Sequence, residues 1–404
     1  MNPTSRRVAV TGIGLVTPIG AGRDEVWEGL LAGRSGFAPV GSFDASRFNA
    51  QIGAEVRGFD PASWVRTLDA GRLGRASQLA VAAARMALQD AGLDRFAADR
   101  AGVAMGTTSG EPIEIERFND RYLAAEMAGL GPELMGLYPC HMIAAHVARE
   151  VGCGGPVTMI PTACAAGNYA IAHAFDLLRD GKADVMLAGG ADAFSRITYA
   201  GFSRLGAIAP ERCQPFDRNR KGMIPGEGAG VLVLEPLERA RQRGARVYAE
   251  VAGYGLSCDA HHMTAAHPEA DGAVRAMEKA LADAGLTVED VSYISAHGTG
   301  TPTNDRLEIL AVQRVFGEAT RTPMSSIKSM IGHTMGAASA IEAAVCSLAV
   351  ANGWIPPTMN MDEPDGGLDY VPNQAREHDV RVAMNNAYAF GGNNASVIFR
   401  RSAA

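Results

Sequence analysis

Short apolar runs alternate with longer amphipathic stretches along the whole chain. The short runs predict strands at residues 7–11, 102–107, 157–162, 184–188, 230–235, 248–254, 291–296, 324–327, 385–389 and 395–400. Helical spacing predicts helices at 75–91, 167–180, 271–284 and 337–352. Strands that alternate with helices indicate an α/β fold with buried sheets. Residues 110–139 read as a mobile, helix-containing insertion.

A second regularity lies beneath the first. Segment 165–181 is a small-residue helical pattern that ends in glycine and follows a strand. Segment 337–353 repeats that pattern after a strand and a short loop. Two similar halves that meet near residue 250 would explain it. On pattern alone, chance likeness between alanine-rich helices explains it equally well.

Composition narrows the function. The 404 residues are 47% hydrophobic and 20% charged, which is ordinary for a chain with a large core. A net charge of −7 argues against a general nucleic-acid-binding surface. The six cysteines are scattered and form no CxxC pair. That pattern suits a reducing cytosol better than a disulfide framework or a structural zinc site. The first apolar run is short and broken by glycines, so it makes a poor signal peptide. No uninterrupted apolar run reaches about 18 residues, so no membrane-spanning helix is expected.

Three segments carry the chemistry. Cys164 lies in Pro161-Thr-Ala-Cys-Ala-Ala-Gly167, between an apolar strand and a helix. A helix N-terminus offers unpaired N–H groups and a dipole that favour a thiolate and an oxyanion. A buried structural cysteine is the ordinary alternative. His297 opens His-Gly-Thr299-Gly-Thr301-Pro, and His333 closes Lys328-Ser-Met-Ile-Gly-His. Both follow strands, where α/β folds place ligands. Imidazole can donate to an oxyanion or transfer protons near neutrality. Taken singly, each histidine reads as a loop residue satisfied by backbone; the combination with Cys164 shifts the balance. Lys328 is either a surface charge or a group that biases the histidines, with Glu308 as its candidate partner.

Other motifs carry less. Gly12-Ile-Gly14 lacks the third glycine of a dinucleotide fingerprint, because Thr17 stands there. Gly226-Glu-Gly228-Ala-Gly230 leads into a strand and lacks the Lys-Ser/Thr of a phosphate loop, so close backbone packing is the better reading. His261, His262 and His267 cluster, but their spacing matches no standard metal-ligand pattern. Phe390-Gly391-Gly392-Asn393-Asn394 joins two apolar strands, either as a plain hairpin or as a loop that approaches a ligand closely.

In combination these segments resemble the β-ketoacyl-acyl carrier protein synthases, the type II elongating enzymes and type II polyketide ketosynthases above all. The resemblance runs from the Val-Thr-Gly-Ile-Gly opening to the Phe390-Gly-Gly-Asn-Asn ending, and takes in Pro215-Phe-Asp217 and His261-His-Met-Thr264. It implies a thiolase-type fold: two similar halves, 1–250 with the cysteine and 251–404 with the histidines and lysine, in a five-layer αβαβα body. It implies a decarboxylative Claisen condensation, in which Cys164 holds an acyl thioester and His297 and His333 assist decarboxylation of malonyl-carrier protein. Lys328 and Glu308 would support the histidines. Backbone N–H groups of Cys164 and Phe390 would hold the oxyanion, and Phe390 would gate the site. Thr299 and Thr301 would contact the phosphopantetheine arm. Thr264, Met223 and Gly391 would line the substrate path, with pocket depth set by Met223 and residues 140–143.

The resemblance also implies that no metal or redox cofactor is needed, since phosphopantetheine arrives on the carrier. Partners would be acyl- and malonyl-loaded carrier protein and a second subunit, identical or a chain-length factor. Arg66, Arg72, Arg75 and Arg204 are candidate docking residues for an acidic carrier. Two histidines set the pattern apart from initiating synthases, and the presence of Cys164 sets it apart from chain-length factors and from a non-catalytic carrier-binding subunit. Ala389, Asn393 and Ser339 depart from the common elongating pattern, in which Gly, Thr and Gly are usual. These departures leave room for a specialised polyketide or polyene enzyme.

Overall fold

The computed structural model describes residues 6–124 and 133–403. Ten strands form the body. The first five are β1 (Val8–Thr17), β2 (Ala101–Gly106), β3 (Val157–Ile160), β4 (Val185–Asp192) and β5 (Gly228–Pro236). The second five are β6 (Ala249–Cys258), β7 (Tyr293–Ser295), β8 (Met324–Ser325), β9 (Val382–Tyr388) and β10 (Asn393–Arg400). The first set lies in the order β3-β2-β4-β5-β1 and the second in the order β8-β7-β9-β10-β6. The pairing sense also repeats. β1/β5 and β5/β4 are antiparallel, whereas β4/β2 and β2/β3 are parallel. β6/β10 and β10/β9 are antiparallel, whereas β9/β7 and β7/β8 are parallel. Val8–Val10 pair with Ala249–Val251, which joins the two sets into one sheet.

The helices used below are α1 (Arg75–Asp90), α2 (Pro112–Leu123), α3 (His141–Val151), α4 (Ala166–Arg179), α5 (Arg196–Arg204), α6 (Asp271–Ala284), α7 (Pro302–Phe316) and α8 (Ala338–Asn352). Three apolar clusters separate the layers. α1 and α3 cover the outer face of the first sheet, and α6 and α7 cover the outer face of the second. α4 and α8 lie between the inner faces of both. This is the expected five-layer αβαβα thiolase-type arrangement, and the two echoing sequence segments are its central helices. Each follows the edge strand of its sheet, β3 or β8.

Helix α8 shows how burial shapes composition. Residues Met335–Asn352 have mean hydropathy 1.4, enough in length and composition for a membrane span, yet 89% of the stretch is buried within the protein. A helix covered on all sides loses the polar stripe of a surface helix. The glycine motifs serve the same packing. A Cβ on Gly14 would lie 1.8 Å from the Ala83 carbonyl oxygen of α1, and one on Gly230 would lie 2.8 Å from Ile341 N of α8. Gly12-Ile-Gly14 and Gly226–Gly230 therefore let helices sit close on sheet backbone.

Several predicted boundaries move. The strand expected at 157–162 stops at Ile160, and that at 324–327 stops at Ser325, because the following residues turn toward the central helices. The region 110–139 holds α2 and the short helix Glu133–Leu137; its residues 125–132 lie outside the described residues.

Candidate active site

Cys164 sits on a strand-to-helix turn. Between β3 and α4 the chain makes a tight turn over Ala163–Ala165. Ala163 takes φ 51°, a left-handed conformation that costs an alanine about 1–2 kcal/mol. The turn directs the Cys164 side chain into a cavity of about 330 Å³. The same cavity is lined by His297, His333, Thr299, Thr301, Thr264, Met223, Phe390 and Gly391. Residues far apart in sequence and expected to act together thus meet around one space.

The electrostatics of Cys164 differ from the sequence expectation. Burial pushes its thiol up to about 12, and the nearby Lys328 charge offsets this only in part. The helix-end location does not produce a resting thiolate, because desolvation dominates. Ionising this thiol near neutrality would need a base to take its proton. His333 Nε2 lies 3.1 Å from Cys164 Sγ. Burial, then Lys328, holds His333 well below the usual imidazole range, and burial, Lys328 and His333 together do the same for His297. Both rings are therefore neutral near pH 7. Their centroids lie 5.4 Å apart at 86°.

Each histidine is fixed from behind. His297 N and Gly298 N donate to the Glu308 carboxylate at 2.8 and 2.7 Å. His333 N donates to the Ile224 carbonyl, and Gly226 N donates to the His333 carbonyl. The glycine-rich segment before β5 is thus a strut for the second histidine.

The expected Lys328–Glu308 partnership is incorrect. Lys328 pairs with Glu342 of α8, and both side chains are about 1% exposed. Glu308 is occupied by the His297 loop, and burial, opposed by those backbone donors, raises its carboxyl to about 8. Glu342 had a signal in sequence, as the one charged residue in the helix at 338–352, and an unpaired buried charge is costly.

Asp192 was not visible from motifs. It accepts from Thr107 Oγ1 at 2.9 Å, Thr108 N at 2.7 Å, Ser109 N at 3.0 Å and Gly336 N at 2.6 Å. One carboxylate therefore ties the loop after β2 to the loop after His333. Tyr388, at the end of β9, also lines the cavity and was not foreseen.

Phe390 is 41% exposed at the cavity mouth and packs on Phe202, with ring centroids 5.8 Å apart. Ala389 adopts an extended φ of −134°, so it needs no glycine in this conformation; Gly391 carries the positive φ of 84°. Ser339 accepts a hydrogen bond from Asn168 N at 3.1 Å and so joins α4 to α8. His262 Nδ1 accepts from Thr264 N and Ala265 N within its own loop. Of the docking arginines, Arg66, Arg72 and Arg204 are exposed. Arg75 is not free to dock: it is half-buried and donates to Glu227 at 2.8 Å and to the Val56 carbonyl at 2.9 Å.

Comparison with known proteins agrees with this geometry. Residues 5–240 match the family model "Beta-ketoacyl synthase, N-terminal domain", and residues 248–362 match "Beta-ketoacyl synthase, C-terminal domain". The chain is 40% identical over 412 residues to 3-oxoacyl-[acyl-carrier-protein] synthase 2 of Synechocystis sp., covering 99% of each. It is similar to the solved ishigamide ketosynthase/chain length factor, at 46% identity and TM-score 0.96 over 98% of this chain and 100% of that one. It is also similar to a type II ketosynthase solved in complex with its acyl-carrier protein and bound to a hexaketide, at 33% identity and TM-score 0.90, over 98% of this chain and 100% of that one.

Proposed function

The chain belongs to the β-ketoacyl synthase family, and from that premise we propose that it condenses a Cys164-bound acyl group with malonyl-acyl carrier protein to give β-ketoacyl-acyl carrier protein. One observation carries the site assignment: Cys164 Sγ lies 3.1 Å from His333 Nε2, in the cavity that also holds His297.

The neutral His333 takes the thiol proton as Cys164 sulfur attacks the acyl thioester carbon. The carrier thiolate leaves and recovers a proton. Malonyl-carrier protein then enters, its arm against Thr299 and Thr301. Its carboxyl C–C bond breaks, carbon dioxide leaves, and the electron pair passes into an enolate. Neutral imidazole N–H groups of His297 and His333 hold the enolate oxygen without a charge that would need desolvation. The carbanion carbon attacks the Cys164 thioester, with the N–H groups of Cys164 and Phe390 holding the oxyanion. The C–S bond then breaks, and the Cys164 thiolate takes a proton from solvent, the one proton the overall condensation consumes. Lys328 acts through the site's field, anchored by Glu342. Carbon dioxide loss supplies the carbanion, so the scheme calls on no metal or redox cofactor.

Arg66, Arg72 and Arg204 are the proposed carrier-docking arginines. The six unpaired cysteines suit a cytoplasmic setting. Assembly is proposed as a dimer. The partner is an identical copy if the pathway is fatty-acid elongation. It is a chain-length factor if the enzyme serves a specialised type II polyketide or polyene pathway. The 46% identity to the ishigamide ketosynthase/chain length factor favours the second pathway.

Mass spectrometry of carrier-bound products separates these readings. The purified chain is incubated with malonyl-carrier protein and a series of saturated acyl-carrier proteins. Extension by the chain alone supports fatty-acid elongation. Cys164 acylation without extension supports the partner-dependent pathway. Absence of both refutes the condensing assignment.

A further inference from the structure

The cavity must distinguish two substrates that arrive on the same carrier arm. The acyl donor ends in hydrocarbon, whereas the extender ends in an ionised carboxylate. Among the described residues that line the cavity there is no lysine or arginine. Lys328 is committed to Glu342. A fixed cation there would in any case hold the carboxylate in its ground state and oppose loss of carbon dioxide. A neutral donor would orient the carboxylate with a smaller penalty.

Tyr388 is such a donor. It lies at the end of β9, lines the cavity, and packs its ring against His297 with centroids 5.8 Å apart. Its hydroxyl is buried and has no hydrogen-bond partner among the described residues. A buried hydroxyl left without a partner is costly, and native structures rarely retain one without a use. Burial, then the nearby Glu308 carboxylate, holds the phenol well above its ordinary range, so it stays protonated and donates. The thioester oxygen already has two imidazoles. The remaining acceptor that the extender brings is its carboxylate.

We propose that Tyr388 is a specificity residue for the extender, its phenol hydroxyl donating a hydrogen bond to the malonyl carboxylate. This rests on the condensing reaction proposed above.

The test compares wild type with Tyr388→Phe, which keeps the ring and its packing. Acylation of Cys164 by acyl-carrier protein and decarboxylation of malonyl-carrier protein are measured separately. In Tyr388→Phe the KM for malonyl-carrier protein should rise about tenfold with kcat nearly unchanged, and the acylation rate should be unaltered. A second measurement uses non-decarboxylating malonyl-amide carrier protein and its methyl ester. Wild type should bind the free acid more tightly than the ester, and Tyr388→Phe should remove most of that difference. An unchanged KM, a fall in kcat alone, or equal losses in both half-reactions would overturn the assignment. The assay includes the partner subunit where extension requires one; if that enzyme neither acylates Cys164 nor decarboxylates malonyl-carrier protein, the reading of function falls, and this inference with it.

Discussion

The two halves build the same turn for different purposes. In the first half, β3 leads through Ala163–Ala165 into α4; in the second, β8 leads through Met335–Ala337 into α8. Both turns contain a non-glycine residue in the left-handed region, Ala163 at φ 51° and Met335 at φ 53°. The next residue is Cys164 in one turn and Gly336 in the other. Cys164 points a thiol into the cavity. Gly336 instead meets backbone: a Cβ there would lie 2.5 Å from Thr107 C and Thr108 N. The approach to the turn differs as well. Only residues 161–162 separate β3 from its turn, whereas residues 326–334, with Lys328 and His333, separate β8 from its own. One half thus spends the shared geometry on the cavity cysteine. The other uses it to bring up a long loop that carries His333 and Lys328. Asp192, bonded to Thr107–Ser109 and to Gly336, locks the two together.

Exchanging chemistry for packing at these two turns should separate rate from stability. Cys164→Ala should abolish condensation, by on the order of 10³-fold or more, with melting temperature nearly unchanged, as seen by product mass and calorimetry. Removing the charge brought by the long loop comes next. Lys328→Ala leaves Glu342 buried without its partner, and should cost about 3–5 kcal/mol in denaturant titration along with activity. Gly336→Ala, unlike Cys164→Ala, should act through packing: a loss of about 1–3 kcal/mol from overpacking, with activity falling as a consequence because the His333 loop shifts.

The pH profile of Cys164 sharpens the division of labour. A thiol pushed up to about 12 carries a thiolate fraction that rises about tenfold per pH unit near neutrality. With neutral His333 accepting the proton, iodoacetamide alkylation of the wild type should be nearly flat between about pH 6.5 and 8.5. In His333→Ala the rate should be lower and climb about tenfold per unit. An equal slope in both proteins would show that His333 does not act as the base. The smallest effect is expected outside the turns. Arg66→Glu with Arg204→Glu should raise the KM for carrier protein several-fold at low salt, and leave turnover of a small pantetheine thioester unchanged.

Much of this was legible from sequence because it is local. Strand and helix periodicity, the glycines that precede close contacts, and the motifs around Cys164, His297 and His333 depend on neighbours a few residues away. The α4 and α8 echo was visible for the same reason, although only the repeated strand order distinguishes duplication from coincidence. Partnerships across the fold were not legible. From sequence Glu308 is a candidate partner for Lys328, but the fold brings Glu342 of α8 to it, and Glu308 is taken up by two backbone N–H groups of the His297 loop. Arg75 looked free and is bound to Glu227. Tyr388 gave no motif at all.

The sequence by itself determined which residue types stand at the ends of strands: a thiol, two imidazoles, and threonines on glycine-rich loops. Through the family resemblance they carry, those choices point to acyl transfer on a thioester. Only the tertiary structure decided their protonation states and their partners. Both depend on desolvation and on groups tens to hundreds of residues away, and neither quantity exists until the layers close around the cavity.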